Sequence, residues 1–247
     1  MPHIPLEICL DSVESAIAAA QGGADRVELC ADLLEGGITP SAGLIAATRQ
    51  KISIGLQVMV RPRGGDFCNS EAEFEIMRKD VRMAKQLGAN GVVLGILDAE
   101  GNIDVRRTRE LVELARPLNV THHRAFDMTN DLFRALEDVI STGADRILTS
   151  GGEATVSQGL GVITRLVKAA GDRIIIMPGG GITQGDVREV AHKGGAKEIH
   201  VGLGKEAPSP MRFRNDKIAM GSVEGYEYKR MVVQAAEVAG IVESLKF

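Results

Sequence analysis

Cysteine is scarce and widely spaced, at positions 9, 30 and 68. An odd number at such intervals makes neither a disulfide framework nor a CxxC zinc pattern. A reducing compartment, the cytoplasm, is therefore the expectation. No apolar run approaches the roughly 20 residues that a membrane helix needs. The opening stretch MPHIPLEIC lacks a charged segment ahead of an apolar one, so no secretory leader is expected. There is no long run of Lys and Arg, and the net charge of -4 argues against a nucleic-acid partner.

The rest of the composition is that of a soluble globular chain, with 44% hydrophobic and 25% charged residues in 247. That length suits an α/β barrel built as one domain, and no composition shift marks a linker. One phrase recurs: GGADRVEL (22–29), LGANGVVLG (87–95), TGADRILTSGG (142–152) and GGAKEIHVG (194–202). Each reads as a helix ending at glycine, a turn, then a short apolar strand. Strands are expected at 5–9, 26–30, 55–60, 91–96, 120–123, 146–149, 174–177 and 198–201. Helices are expected at 12–21, 41–50, 70–87, 104–116, 131–141, 157–170, 184–193 and 225–245. Start signals stand at Ser12, Ser41, Ser70 and Asn130-Asp131. Alternating βα units imply a parallel sheet, and their number predicts a single-domain (β/α)8 TIM-type barrel over 1–247, with a doubly wound open sheet as the alternative. A long loop, 202–224, joins the last strand to the last helix. Long connections also leave strands at 31–40, 61–69 and 124–130, on the face where such barrels carry their sites.

Alternation along these strands aims polar groups inward. Leu6, Ile8 and Leu10 form one face of LEICL, leaving Glu7 and Cys9 for the lumen. The same phase directs Glu28 and Cys30, then Gln57, Met59 and Arg61, then Thr121 and His123, then Glu198 and His200. Lumens of this fold are usually filled by Val, Ile and Leu. Buried charges must be paired or neutralised. An internal ion-pair network of Glu7 and Glu28 with Arg61 is one expectation; a site at the strand C-termini is the other. His122 falls on the opposite, outward face.

Three motifs sharpen the second expectation. In THHRAFD (121–127), His123 can move a proton, Arg124 can clamp an anion, and Asp127 can orient them or cap the next helix. In MPGGGI (177–182), Gly179, Gly180 and Gly181 let backbone N–H groups approach an anion at a helix start. Ser150 in LTSGG (148–152) adds a donor. RPRGGDFCNS (61–70) reads as an anion-binding or lid loop carrying Arg61 and Arg63; Cys68 is a plain loop thiol. Neighbouring strands lie about 4.8 Å apart, so Cys9 and Cys30 fall at matched depth if the first two strands are in register. Two thiolates there suit a soft ion such as Cu(I), with Met59 nearby; two small buried hydrophobes are the alternative.

The stretches DSVESA, GGADRVELC, EGGITPS, RPRGGDF, HRAFDM, LTSGG, MPGGGI and SPMRFRN together resemble the CutC family of copper-homeostasis proteins over nearly the whole chain. The resemblance implies a TIM-type barrel, a cytoplasmic location (nuclear as well in eukaryotes) and a homodimer or homotetramer. It also implies Cu(I) binding, for which the family's paired strand-end cysteines match Cys9 and Cys30. An aromatic common in the family is His122 here, and a common Tyr is Asn69.

Three functions therefore stand. One is copper binding through Cys9 and Cys30, although no methionine-rich tract marks a route to them. The second is an enzyme acting on a small anionic or phosphorylated metabolite. Its Glu7, Glu28, His123 and Asp127 would do acid–base work, and Arg61, Arg124, Ser150 and Gly179–Gly181 would hold the anion. The third is an interaction scaffold using 202–224, where SPMRFRN serves as an oligomer contact or a lid.

Overall fold

A computed structural model of the chain describes residues 3–246 apart from Asp216, Ser222 and Glu224. Eight parallel strands form one sheet: β1 (Leu6–Leu10), β2 (Arg26–Leu29), β3 (Gly55–Met59), β4 (Gly91–Leu94), β5 (Asn119–His122), β6 (Arg146–Thr149), β7 (Ile175–Pro178) and β8 (Ile199–Gly202). Their order is β7-β6-β5-β4-β3-β2-β1-β8, and a parallel bridge from Gly179 to His200 draws the two ends together into a nearly closed barrel. Gly179 makes that approach possible. A Cβ there would lie 2.4 Å from Leu148 Cδ1 and 3.0 Å from the His200 side chain.

The helices are α1 (Val13–Gln21), α2 (Ala42–Lys51), α3 (Glu71–Gln86), α4 (Val105–Ala115), α5 (Leu132–Thr142), α6 (Val156–Ala170), α7 (Val187–Gly194) and α8 (Ala235–Leu245). Hydroxyl and carboxylate caps fix the starts of α1, α2, α3 and α5 at the signals the sequence carries. Ser12 accepts from Ser15 N–H, Ser41 from Leu44 N–H, and Ser70 forms a capping box with Glu73. Asp131, not Asp127, caps α5. Helix α3 shows why these segments pack: Phe74, Met77, Val81 and Ala84 recur at helical spacing and are all buried.

The main core lies between strands and helices, where Leu6, Ile8, Val27, Leu29, Leu56 and Val58 are fully shielded. His122 shares the phase of Val120 and is buried there, with Nδ1 on the His123 carbonyl. A separate small cluster of Cys30, Met59 and Val93, with Cys9 and Leu33 against it, sits apart from that core.

Two expectations change. The segment after β8 is not a simple loop followed by a helix from 225. It contains a hairpin of β9 (Lys205–Pro208) and β10 (Lys229–Val232), paired antiparallel, so α8 begins only at Ala235. Positions 216, 222 and 224 of that segment lie outside the described residues. The second change concerns Gly179–Gly181, which do not open a helix directly. α7 starts at Val187, because a turn held by Asp186 accepting from Thr183 N–H intervenes.

Candidate functional site

Parallel pairing sets the lumen's levels. Glu7 stands opposite Arg26 on β2 and opposite His200 on β8. Arg26 Nε donates to Glu7 Oε2 at 2.5 Å, and its Nη2 donates to Glu198. Arg146 Nε also donates to Glu198, at 3.0 Å, while Arg146 Nη1 reaches Thr121 Oγ1. The buried acids Glu7 and Glu198 are thus neutralised by Arg26 and Arg146. Arg61 is not the counter-ion expected for Glu7 and Glu28. Its Nη1 and Nη2 donate to the carbonyls of Glu35, Gly37 and Gly65, and its guanidinium lies 4.8 Å from the Phe67 ring centre. Arg61 lies two residues beyond Met59, the end of β3, and its long side chain turns to the carbonyls of the neighbouring loops. Arg26 was readable in principle: it precedes Glu28 by two positions and shares its phase.

The remaining oxygen of Glu7 binds His200, with Nδ1–H donating to Oε1 at 2.8 Å. Burial alone would raise the Glu7 carboxyl, but His200 and Arg26 outweigh it and hold it at about 2. With both oxygens engaged, Glu7 orients Arg26 and His200.

Above this level lie the thiols. Cys9 pairs across the sheet with Glu28, not with Cys30. The parallel register displaces the two cysteines along their strands, so the expected matched depth becomes a diagonal, and their Sγ atoms meet at 4.0 Å. Cys30 Sγ donates to Glu28 Oε2 at 3.6 Å, and the same oxygen lies 3.8 Å from His200 Nε2. Cys9, Glu28 and Cys30 could together hold a metal ion, as could Glu7, Glu28 and His200. Gly37 keeps room beside them. Its φ is +87°, and a Cβ there would sit 3.0 Å from Cys30 Sγ.

The charges interlock. The contact with Cys30 lowers the Cys9 thiol well below its ordinary range against the effect of burial, and His200 adds to this. The same contact, with burial, raises Cys30. Burial and the neighbouring Cys9 push Glu28 well up. Burial opposes charge on His200, but Glu28, Cys9 and Glu7 outweigh it and keep the imidazole protonated well above its usual range. The cluster thus favours charge on Cys9 and His200 over charge on Glu28 and Cys30. Cys9 also lines a cleft of about 580 Å³ together with Asp11, Asp32, Leu203, Tyr226 and Met231. Cys68 is exposed in its loop.

His123 stands at the end of β5, its Nδ1 accepting from Ala125 N–H at 3.2 Å. Its ring centre lies 5.0 Å from that of Phe67, which places it on the same aromatic ring as Arg61. Burial, then His122 and Arg61, keep His123 well below its usual range and so neutral. Glu28 Oε1, Arg61 Nε and His123 Nε2 are buried without a hydrogen-bond partner among the described residues.

Asp127 works locally. It accepts from Thr149 Oγ1, Ser150 N–H, Gly152 N–H and Arg124 Nε, pinning the loop after β6. Arg124 Nη2 donates to Ser150 Oγ, and Nη1 lies against Gly180. The structure thus brings Arg124, Ser150 and Gly180 together.

Fold and site define a (β/α)8-barrel protein with a thiol–carboxylate–imidazole cluster at the C-terminal mouth. The CutC family model matches residues 4–205, and the chain belongs to the CutC family. A human protein described as a copper homeostasis protein cutC homolog is 46% identical over 234 residues, 94% of this chain and 86% of that one. A CutC family protein of Chromobacterium violaceum is 45% identical over 97% of each chain. The crystal structure of a CutC protein from Streptococcus agalactiae superposes with a TM-score of 0.76 at 32% identity, over 81% of this chain and 98% of that one. Phosphoribosylanthranilate isomerase from Thermotoga maritima, 14% identical with a TM-score of 0.59 over 99% of each chain, shares the fold alone. No helix among the described residues is long and apolar enough to cross a membrane.

Proposed function

We propose that the chain binds Cu(I) between Cys9 and Cys30, as cargo in copper homeostasis. The observation that carries this reading is the pair of unbonded sulfurs at 4.0 Å, in contact with Met59 and open through Cys9 to a cleft. Soft thiolate and thioether ligands select Cu(I). Binding requires both thiols to lose their protons. Cys9 is already poised to do so, and the Cys30 proton is released to solvent as the ion binds. Two thiolates and one Cu(I) carry a net negative charge, which the His200 imidazolium offsets. Free thiols in this role go with a reducing cytoplasm, and the family resemblance adds a homodimer or homotetramer, checked by sedimentation. The deciding experiment is anaerobic Cu(I) competition against a chromophoric chelator. The wild type and Cys68→Ser bind equally, and Cys9→Ser/Cys30→Ser loses the site. Undiminished affinity in the double variant removes the reading.

A second reading rests on the unpartnered buried atoms Glu28 Oε1, Arg61 Nε and His123 Nε2. Copper binding gives no use for two N–H donors there. They suit a small oxyanion, with Glu28 and His123 as proton-transfer groups and Arg124, Ser150 and Gly179–Gly181 at a phosphate end. A thermal-shift panel of phosphorylated metabolites tests this. A ligand that stabilises the wild type but not His123→Phe supports it; an inert panel counts against it.

A further inference from the structure

No methionine-rich tract is visible in the sequence, yet the fold gathers methionines above the thiols. Met231, on β10, lines the same cleft as Cys9. Met220 lines an adjoining cleft that shares Asp32, Leu34 and Tyr226 with the first. Its backbone N–H donates to Glu227 Oε1 at 2.9 Å, which ties it beside Tyr226. Met59 lies at the inner end, packed with Cys30.

We propose that Met220 and Met231 form a thioether access route that hands Cu(I) from solvent to Cys9. The proposal rests on the thiol pair being the ion's destination.

Packing does not account for these two side chains. Met220 is 84% exposed and Met231 43% exposed, so neither gains much from burial. Exposure alone is no mark of function, since Met83 and Met128 are also exposed, at 41% and 67%. What sets Met220 and Met231 apart is position: Met231 lines the cleft that holds Cys9, and Met220 lines the cleft adjoining it. The chemistry fits a transit route better than a resting site. A neutral thioether is a soft but weak ligand and needs no deprotonation, whereas the destination offers a thiolate. An ion would therefore move towards stronger donors as it moves inward, from Met220 to Met231 to Cys9. The unbranched side chain of methionine, with three rotatable bonds, lets each sulfur swing between neighbours. Gly204 borders the path: a Cβ there would lie 3.6 Å from Met231 Cβ and 3.7 Å from Met231 Cε.

Two measurements test the route. In anaerobic stopped-flow transfer from a Cu(I)–glutathione complex, Met220→Leu/Met231→Leu should load about tenfold more slowly than the wild type, with unchanged equilibrium affinity. Loading at the wild-type rate overturns the proposal. The second is independent of the thiol site. Ag(I), a soft monovalent stand-in, is titrated into Cys9→Ser/Cys30→Ser carrying 13C-labelled methionine methyls. Met220 and Met231 should shift before Met83 and Met128. If the four respond together, Met220 and Met231 are ordinary surface methionines and the route is wrong. Loss of Cu(I) affinity in the methionine variant would also overturn it, because these residues would then be equilibrium ligands. Failure of the thiol assignment alone looks different: Cys9→Ser/Cys30→Ser keeps full Cu(I) affinity.

Discussion

Glu7 and His200 face each other across the seam where β1 meets β8, joined by a hydrogen bond of 2.8 Å from Nδ1 to Oε1. This pair links barrel closure to the electrostatics of the thiols. The same imidazole that Glu7 holds also supports the Cys9 thiolate. Glu7 is itself fixed by Arg26, so charge placed low in the lumen determines charge at its mouth.

The linkage predicts a pH profile. Glu7 falls from an ordinary value of 4.5 to about 2 on folding. It therefore contributes stability that is present above pH 4.5 and is lost as the pH drops through about 2. His200 is shifted upward from 6.5, so its contribution is complete below pH 6.5 and fades as the pH rises through its folded-state value. Glu7→Gln should cost about 3 kcal/mol in urea unfolding near pH 6, because Arg26 loses one of its two buried carboxylate partners. It should also flatten the loss of stability between pH 4.5 and pH 2. An unaltered acid limb would mean that Glu7 is not ionised in the folded chain.

Thiol labelling should proceed in three steps. Cys68 is exposed, Cys9 half-buried and Cys30 buried. A charged disulfide reagent should modify Cys68 first and Cys30 last, with Cys9 reacting through the cleft as a thiolate. Stoichiometric Ag(I) should protect Cys9 and leave Cys68 reactive; peptide mass mapping reads both.

Two glycines in α6 should behave oppositely. A Cβ at Gly159 would lie 1.9 Å from the Ser150 carbonyl oxygen, whereas Gly161 has nothing within 4 Å. Gly159→Ala should destabilise by about 2 kcal/mol as the loop after β6 is forced away. Gly161→Ala should stabilise by up to about 1 kcal/mol through helix propensity. Paired denaturant titrations check the difference in sign.

Asp127→Ala should cost about 2 kcal/mol, since it leaves the N–H groups of Ser150 and Gly152 without their acceptor. The same change frees Arg124 Nε. Hydrogen exchange should rise at positions 150–152 while the strands stay protected; unchanged exchange there would show that the loop does not depend on this carboxylate.

Much of the site was legible because strand alternation is strict. Glu7, Cys9, Glu28 and Cys30 follow from the phase of LEICL and RVELC alone, and the adjacency of β1 and β2 then makes them neighbours. Arg61 lies two positions past Met59, the end of β3, where the chain has entered the loop, and its long side chain reaches loop carbonyls instead of Glu7 and Glu28. Arg146 and Glu198 begin or precede their strands and meet only because the barrel closes, 52 positions apart in the chain. The β9–β10 hairpin was hidden for another reason. Its burial is slight, so no apolar period announces it.

The sequence by itself determined the eight βα units, the capped helix starts and the inward face of each strand, because these depend on local periodicity and on residues a few positions apart. Only the tertiary structure decided which partner each buried charge received, how far Cys9 and Cys30 are displaced along their strands, and which methionines overlook them. Those outcomes depend on the register between strands and on ring closure. Both arise from contacts between residues far apart in the chain, and neither leaves a periodic trace within any one segment.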